Sequence, residues 1–323
     1  MAPAAGMTPA IDVAIVAYRR WDLTTSCLDH LARQTVDHHV ILCDNGCDEG
    51  TADRTREHYP DVEVIRLERN MPYPVACNAA VGAGRRELVV MMNNDVDARP
   101  DFLERLTAPL TADARVGSVA GLLLRPGEAV IDSVGLVADP ILAGFARHQG
   151  RPSAAAPLTD TLVTGPAGAA AAFRRAAWDE VGGMDEHIPA YMEDFELGLR
   201  LRHAGWSAAV ALDAVAVHIG GATFGHRSSG QRWRSGYARG YLLRRYGLLS
   251  ARTAPRALAT EAIVAAGDLV ISRDAAAARG RLAGWRSARG LPRRPWPPAD
   301  AIDGRIGFLD SLRRRRGAYA GTP

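Results

Sequence analysis

The sequence predicts an α/β fold: a mixed, mostly parallel central sheet flanked by helices, followed by an Arg-rich helical C-terminal extension. Two observations predict the sheet. The first hundred residues alternate short β-branched runs with helix-length stretches, the pattern of βαβ units, and the clearest of these runs, IDVAIVA and ELVVMM, are almost wholly apolar. A third predicts the extension. Residues 1–223 hold 19 Arg against 30 Asp or Glu, a net of −11, whereas residues 224–323 hold 20 Arg against 6 acids, a net of +14. The formal total of +3 therefore hides two regions of opposite sign. All 39 basic residues are Arg, which fits an Ala- and Gly-rich, GC-rich coding composition and does not explain where the Arg sit.

The elements follow in order. Ile11–Ala17 reads as a buried strand and Asp22–Gln34 as the crossover helix behind it. Val40–Cys43, a helix near Thr51–His58, Val62–Arg66, a helix over Val75–Ala83 and the strand Glu87–Met92 continue the alternation. After Pro100 the pattern loosens to a helix at Asp101–Leu110, a strand at Gly117–Leu124 and a hairpin across Val130–Val137. Gly150–Pro157, small and proline-bearing, reads as a mobile surface loop. A strand at Ala167–Phe173, a helix opening near Arg175 and a helix from Glu193 to Ala204 come next, the last stopped by Gly205 in the C′ position. Trp206–Leu212 is a further strand whose end is carried by Val215–His218. Gly230–Gly247 and Pro255–Trp285 read as helical, and the last ~35 residues, mixing Pro, Gly and Arg, as partly ordered.

A length of 323 residues with 47% hydrophobic side chains permits one large domain and a smaller appendage, and excludes a stapled miniprotein and whole-chain disorder. Expected boundaries are a flexible N-terminus over 1–10, a catalytic domain over 11–228 and a basic helical region over 229–323. Cys27, Cys43, Cys47 and Cys77 have no CxxC spacing, and residues 1–10 lack a basic start followed by an apolar run. Both features point to a reducing cytoplasm. The longest apolar stretch, 207–217, is interrupted by Asp213 and falls short of a bilayer span.

Three groups of residues carry chemistry. Asp95 and Asp97 follow an apolar strand within Asn93-Asn94-Asp95-Val96-Asp97, and Asp44 closes an earlier strand. Open α/β sheets bind ligands at such carboxyl ends, and paired carboxylates suit Mg²⁺ or Mn²⁺ shared with substrate phosphates, although a solvated Asp-capped turn has the same signature. Glu193-Asp194 opens a helix, where acids complement the helix dipole or, beside a ligand, can accept a hydroxyl proton. Glu196 and Arg200 are spaced for an i,i+4 ion pair. His218, before Gly220-Gly221, is either a structural histidine or a contact to metal or diphosphate.

Taken together, AIVAYRR, ILCDNGCDEGT, RNMPYPVACNAAVGAG, ELVVMMNNDVDARPDFL, the GGMDEHIPAYMEDFELGLRL block and AVAVHIGGATFGHRSSGQRW resemble family 2 of the glycosyltransferases, closest to its rhamnosyltransferase-like branch, over residues 11–250. The resemblance implies a GT-A fold and inverting transfer of a sugar from a UDP- or dTDP-sugar, with Mg²⁺ or Mn²⁺, to a hydroxyl of a lipid-linked glycan or small natural product. It implies that Asp44 accepts the N–H of the base, with Ala17, Tyr18 and Arg19 beside the nucleoside. Asn93-Asn94-Asp95 takes the place of the DxD motif, making Asp95 the metal ligand, with Asp97 and His218 as further candidates. Asp194 resembles the general base and Glu193 its partner, while Asn70 and Asn78 match framework or donor positions. Arg19-Arg20, where Asn is usual, and the Met71-Pro72-Tyr73-Pro74 loop, where small residues are usual, depart from the pattern near the donor site.

Two other functions remain open at this level: a sugar-1-phosphate nucleotidyltransferase, although Ala17-Tyr18-Arg19-Arg20 lacks the Gly of a phosphate loop, and a non-catalytic binding protein of the same fold. For the basic end, the open roles are peripheral contact with the inner face of the membrane, attraction of an anionic acceptor, docking on the acidic domain of the same or another subunit, and a solvated face with a frayed tail. No nucleic-acid motif is present. Deletion after about residue 290 is expected to spare donor binding.

Overall fold

The computed structural model describes residues 10–154, 162–220, 228–249, 252–271 and 273–319. The N-terminal segment 1–9 and residues 155–157 of the surface loop lie outside them. The elements run β1 (Ile11–Ala17), α1 (Trp21–Leu31), β2 (His38–Asp44), α2 (Thr51–His58), β3 (Glu63–Arg66), α3 (Tyr73–Ala83), β4 (Leu88–Asn93), β5 (Val96–Ala98), α4 (Phe102–Ala112), β6 (Val116–Leu124), β7 (Ile131–Ser133), β8 (Leu136–Ala138), β9 (Gly144–Ala146), β10 (Ala170–Arg174), α5 (Arg175–Val181), α6 (Glu193–His203) and β11 (Ser207–His218). The C-terminal region supplies α7 (Ser229–Arg245), α8 (Ala254–Ile271), α9 (Ala276–Ser287), a short 3₁₀ turn (Ala299–Ala301) and α10 (Phe308–Tyr319).

The nine-stranded sheet has the order β3-β2-β1-β4-β10-β6-β11-β5, with β7 paired to β6. Strands β3, β2, β1 and β4 are mutually parallel, β10 runs against both β4 and β6, and β11 is parallel to β6. Reversal of β10 matters for the site: its N-terminal end lies at the edge where its neighbours have their C-terminal ends. Alternate residues of β1 face opposite sides, as strand pleating requires. Ile11, Val13 and Ile15 pack with Leu28 and Leu31 of α1 and Phe102, Leu103 and Leu106 of α4, while Ala14 and Val16 pack with Ala76, Cys77 and Ala80 of α3 and Phe173 of β10. Burial on both faces explains why these strands read as unbroken apolar runs.

The hairpin expected across 130–137 is not formed. Its two halves diverge: β7 turns back on β6, and β8 pairs with β9 in a separate two-stranded ribbon. The segments 206–212 and 215–218 are one strand, β11, with a register shift between Ala211 and Val215 around Asp213, which pairs with Arg105 of α4. Strand β5, only three residues long, pairs with the end of β11 and carries Asp97. The helical stretch after Pro255 divides into α8 and α9. Helices α7 and α9 approach so closely that a Cβ added to Gly240 would lie 1.9 Å from the carbonyl oxygen of Arg281, and one on Gly284 1.9 Å from that of Tyr237.

The basic end is not a detachable tail. Arg294 reaches Asp185 at 2.9 Å and Glu196 at 3.2 Å, Ile302 forms a parallel bridge with Ala138, and Thr164 Oγ1 donates to the carbonyl of Ala301. From α10, Ser311 Oγ donates to Asp139, and the buried Arg315 stands 3.7 Å from Glu261. Part of the cationic surplus thus docks on carboxylates of the acidic domain of the same chain. The expectation of a partly ordered tail is corrected by these contacts, whose partners were invisible in a Pro-, Gly- and Arg-rich composition.

Candidate active site

The candidate residues converge on one edge of the sheet. Strand β1 ends at Ala17, whose backbone carbonyl accepts from the Asn45 N–H (2.9 Å) and the Cys47 thiol (3.4 Å). The chain then takes two consecutive left-handed residues, Arg19 and Arg20, into α1. Tyr191 and Met192 form a second left-handed pair entering α6. Non-glycine residues in this region cost about 1 kcal/mol or more each, and such strain gathers at functional sites. Tyr18 is half-buried, and the Arg19 guanidinium lies 5.2 Å from its ring centre while also standing 3.5 Å from exposed Asp48.

Asp44 is fully buried, and its two carboxylate oxygens accept from the backbone N–H groups of Cys47 (2.8 Å) and Ala52 (3.1 Å). It therefore holds the β2–α2 loop. Asn45 beside it fastens the next loop: its amide donates to Asn70 Oδ1 and the Met71 carbonyl and accepts from the Met71 N–H. Asn78 takes the framework role, clamping the segment before α6 through both backbone groups of Met184 and through Glu186.

At the end of β4 the three motif residues separate. Asn93 accepts from the hydroxyl of Tyr73 (2.6 Å), Asn94 donates to Thr24 of α1 (2.9 Å), and Asp95 turns toward the end of β11. Asp95 is buried, its Oδ2 accepts from the Gly220 N–H (3.2 Å), and its carbonyl accepts from the Ile219 N–H. His218 Nε2 stands 3.5 Å from Asp95 Oδ1, and His218 Nδ1 lies 2.8 Å from Asp132 of β7. Burial opposes charge on this imidazole, but its bond to Asp132 and the nearby Asp95 carboxylate outweigh it and push it up to about 9. Burial likewise opposes the charge of Asp132, and His218 nonetheless holds it below the usual carboxylate range. Asp97 goes elsewhere: it accepts from Ser26 (2.7 Å) and stands 3.4 Å from His30, both on α1. The structure thus pairs His218 with Asp95 and leaves Asp97 as a tie between β5 and α1.

Asp95 Oδ1 is buried without a hydrogen-bond partner. Among the described residues no group of three or more His, Cys, Asp or Glu is gathered for a metal. Mg²⁺ needs only one or two protein carboxylates when a substrate diphosphate completes its shell, so Asp95 fits that limited demand, and His218 could join it on giving up the proton that its two carboxylate neighbours favour. Asp132 on Nδ1 is the kind of outer partner that aims a ligating histidine.

Across the same edge lies the carboxylate pair of α6. Asp194 Oδ2 accepts from the Gly168 N–H (2.8 Å) and its Oδ1 from the Phe195 N–H (2.7 Å). Gly168 lies just before β10, and next to it the Ala169 carbonyl accepts from the Asn93 N–H at 2.8 Å, so the two acidic motifs are joined through two adjacent backbone positions. A Cβ on Gly168 would sit 3.2 Å from that of Asp194, tighter than an ordinary contact. Burial raises the pKa of Asp194 above the usual range, opposed by its two N–H donors. Glu193 is pushed up to about 8, first by burial and then by the charge of Asp194, and its Oε2 is buried without a partner. Further along α6, Glu196 and Arg200 form the expected pair at 2.7 Å, buried.

Asp132, Tyr73, Gly168 and Asn45 were not foreseen as site residues. Asp132 sits in a three-residue strand with no motif around it, and its role arises from a pairing 86 residues distant in sequence.

A parallel-dominated sheet with two acidic motifs at one edge, one aimed at a histidine and one at a helix start, defines the architecture of nucleotide-sugar-dependent transferases of the GT-A type. The chain belongs to the glycosyltransferase-like family 2, whose model matches residues 9–238. A curated relative, N-acetylglucosaminyl-diphospho-decaprenol L-rhamnosyltransferase of Mycobacterium tuberculosis, is 28% identical over 201 residues, covering 55% of this chain and 66% of that protein. Among solved structures, the mannosyltransferase PcManGT from Pyrobaculum calidifontis in complex with GDP-Man and Mn²⁺ has a TM-score of 0.50 at 18% identity, covering 87% of each chain. GalNAc-T7 with UDP, GalNAc and Mn²⁺ has a TM-score of 0.54 at 13% identity, covering 76% of this chain and 52% of its own. At these identities the solved structures speak to the fold, which is GT-A.

Proposed function

We propose that the protein is an inverting, metal-dependent glycosyltransferase that moves a hexosyl unit, L-rhamnosyl by analogy with the mycobacterial relative, from a dTDP- or UDP-sugar to a hydroxyl of a lipid-linked glycan. The observation that carries this reading is the join between the two acidic motifs, Asp194 to Gly168 and Asn93 to Ala169, which puts a carboxylate base and a carboxylate–histidine pair on one edge.

In the proposed reaction the acceptor hydroxyl gives its proton to Asp194 as its oxygen bonds to the anomeric carbon. The bond from that carbon to the phosphate oxygen breaks, and its electron pair leaves with the nucleoside diphosphate. One displacement inverts the anomeric centre and needs no covalent intermediate. The Gly168 and Phe195 N–H groups hold the Asp194 carboxylate in one orientation, and burial keeps it basic. Burial and the charge of Asp194 both favour the protonated form of Glu193, which would spare the pair a second charge. A divalent cation held by Asp95 and His218 would supply charge neutralisation for the leaving diphosphate. The nucleoside would lie at the β1 end, beside Ala17, Tyr18 and Arg19, with its base N–H toward Asp44, whose carboxylate is oriented by the Cys47 and Ala52 N–H groups.

The test is nucleoside diphosphate release from a panel of dTDP- and UDP-sugars with Mn²⁺ or Mg²⁺ and a polyprenyl-diphosphate-linked GlcNAc acceptor. Acceptor-dependent release with an inverted product supports the reading. Pyrophosphate chemistry would favour a nucleotidyltransferase, and binding without turnover a non-catalytic protein.

A further inference from the structure

Helix α8 is built inside out. Its charged residues face the protein: Arg256 lies 3.5 Å from Asp139, Glu261 pairs with Arg239 (2.7 Å) and Arg281 (3.0 Å), and Asp268 pairs with Arg281 (3.2 Å). Burial opposes the charge of Glu261, but Arg239, Arg315 and Arg281 together hold it down at about 2. Its outward face is apolar. Leu258 is 56% exposed, Ile263 48%, Leu269 58%, Val270 75% and Ile271 74%, with exposed Ala259, Ala262 and Ala266 between them. These positions recur at helical spacing, one continuous stripe from Leu258 to Ile271. Scattered exposed apolar residues are ordinary, but a stripe on a helix whose polar side is consumed internally marks a surface meant to be covered.

Charge decides what covers it. All six acids of residues 224–323 are engaged by Arg side chains, Glu261 and Asp268 within this cluster and Asp274, Asp300, Asp303 and Asp310 elsewhere. The net +14 of the region is therefore guanidinium in excess of its own acids, of which Arg256 and Arg294 meet Asp139, Asp185 and Glu196 of the acidic domain. Exposed Arg252 and Arg273 flank α8 at its two ends. A second copy docked through the same face would set two such surpluses against each other, whereas an anionic lipid surface neutralises them. Among the described residues no helix is long and apolar enough to cross a membrane, so the geometry suits lying on a bilayer.

We infer that α8 seats the protein on an anionic bilayer, with Leu258, Ile263, Leu269, Val270 and Ile271 in the acyl boundary and Arg252 and Arg273 among the head groups. The inference stands on α8 alone and does not need the proposed transfer reaction, although a lipid-linked acceptor would be met on the same surface.

The test is sedimentation of the full chain with vesicles of phosphatidylcholine containing about a third phosphatidylglycerol, free of any glycolipid. The wild type is expected to sediment with these vesicles and far less with pure phosphatidylcholine. The double variant Leu269→Asn/Val270→Asn, at side chains already exposed, should keep its thermal melting and bind roughly tenfold more weakly. Arg252→Gln/Arg273→Gln should also lose roughly tenfold, on the anionic vesicles alone. Wild type that ignores anionic vesicles, or a Leu269→Asn/Val270→Asn variant that binds them like wild type, overturns the inference. So does a wild-type dimer that this variant converts to monomer without changing vesicle binding, which would assign the face to a second copy. Donor binding measured on the same samples reports separately on the proposed function.

Discussion

Replacing Arg294 by Met keeps the aliphatic stem and removes a guanidinium that bonds two buried carboxylates, Asp185 at 2.9 Å and Glu196 at 3.2 Å. Neither acid is left bare. Asp185 keeps the Tyr241 hydroxyl at 2.7 Å and His187, and Glu196 keeps Arg200 at 2.7 Å and the Tyr246 hydroxyl at 3.2 Å. Asp185 therefore loses one charge-assisted bond, worth about 1.5–3 kcal/mol, Glu196 loses an ion-pair partner, and the guanidinium no longer has to be desolvated, which returns part of the sum. The expected net loss is about 3 kcal/mol. At 2–4 °C per kcal/mol for chains of roughly 150–250 residues, and somewhat less for a longer one, melting should fall by about 5–10 °C. The assay is thermal or urea unfolding of both proteins at pH 7 and again near pH 3.5. Burial opposes the charge of Asp185, but its bonds to Tyr241, Arg294 and His187 hold it far below the usual carboxylate range. A depressed carboxylate contributes stability that is present above its unfolded pKa and lost as pH falls toward the folded one. The gap between wild type and Arg294→Met should thus be widest at neutral pH and narrow in acid. Equal melting temperatures at pH 7 would refute the claim that residues after 290 are structural.

Asp132→Asn should weaken binding of Mn²⁺ by about 10–100-fold in titration calorimetry with a nucleoside diphosphate present, because His218 loses the partner that orients it at 2.8 Å. Unchanged affinity would leave Asp132 without a positioning role. Glu193→Gln should alter the pH dependence of stability. A carboxyl raised from 4.5 to about 8 stabilises fully below its unfolded value, and that contribution is lost as pH rises through the folded one, at most about 5 kcal/mol between those limits. Wild type should therefore lose melting temperature from pH 6 to pH 9 more steeply than Glu193→Gln, and parallel curves would contradict the assignment.

The catalytic half was largely legible because its cues are local. Strands β1, β2 and β4 are buried on both faces and read as apolar runs, and the α6 start is marked by consecutive acids before a helical face. What the sequence hid depends on pairing at a distance. Strands β7 and β8 are equally short and lie two residues apart, and only tertiary contacts sent one to β6 and the other to β9. The acids carried no label of their direction either: Asp95 meets His218, whereas Asp97, two residues on, meets Ser26. The motif around Asp44 did not show that the Cys47 and Ala52 N–H groups hold its carboxylate. In the basic end, composition reported the surplus of Arg but not that α8 turns its charges inward.

The central claim is that Asp194 takes the acceptor proton, and Asp194→Asn tests it most directly. Asn can still receive a hydrogen bond from Gly168 or Phe195 through its amide oxygen, so the local fold should survive. Single-turnover transfer from the active donor should fall by about 10²–10⁴-fold, while donor affinity measured by calorimetry stays within about twofold. Transfer at the wild-type rate by a folded, donor-binding Asp194→Asn protein would contradict the account.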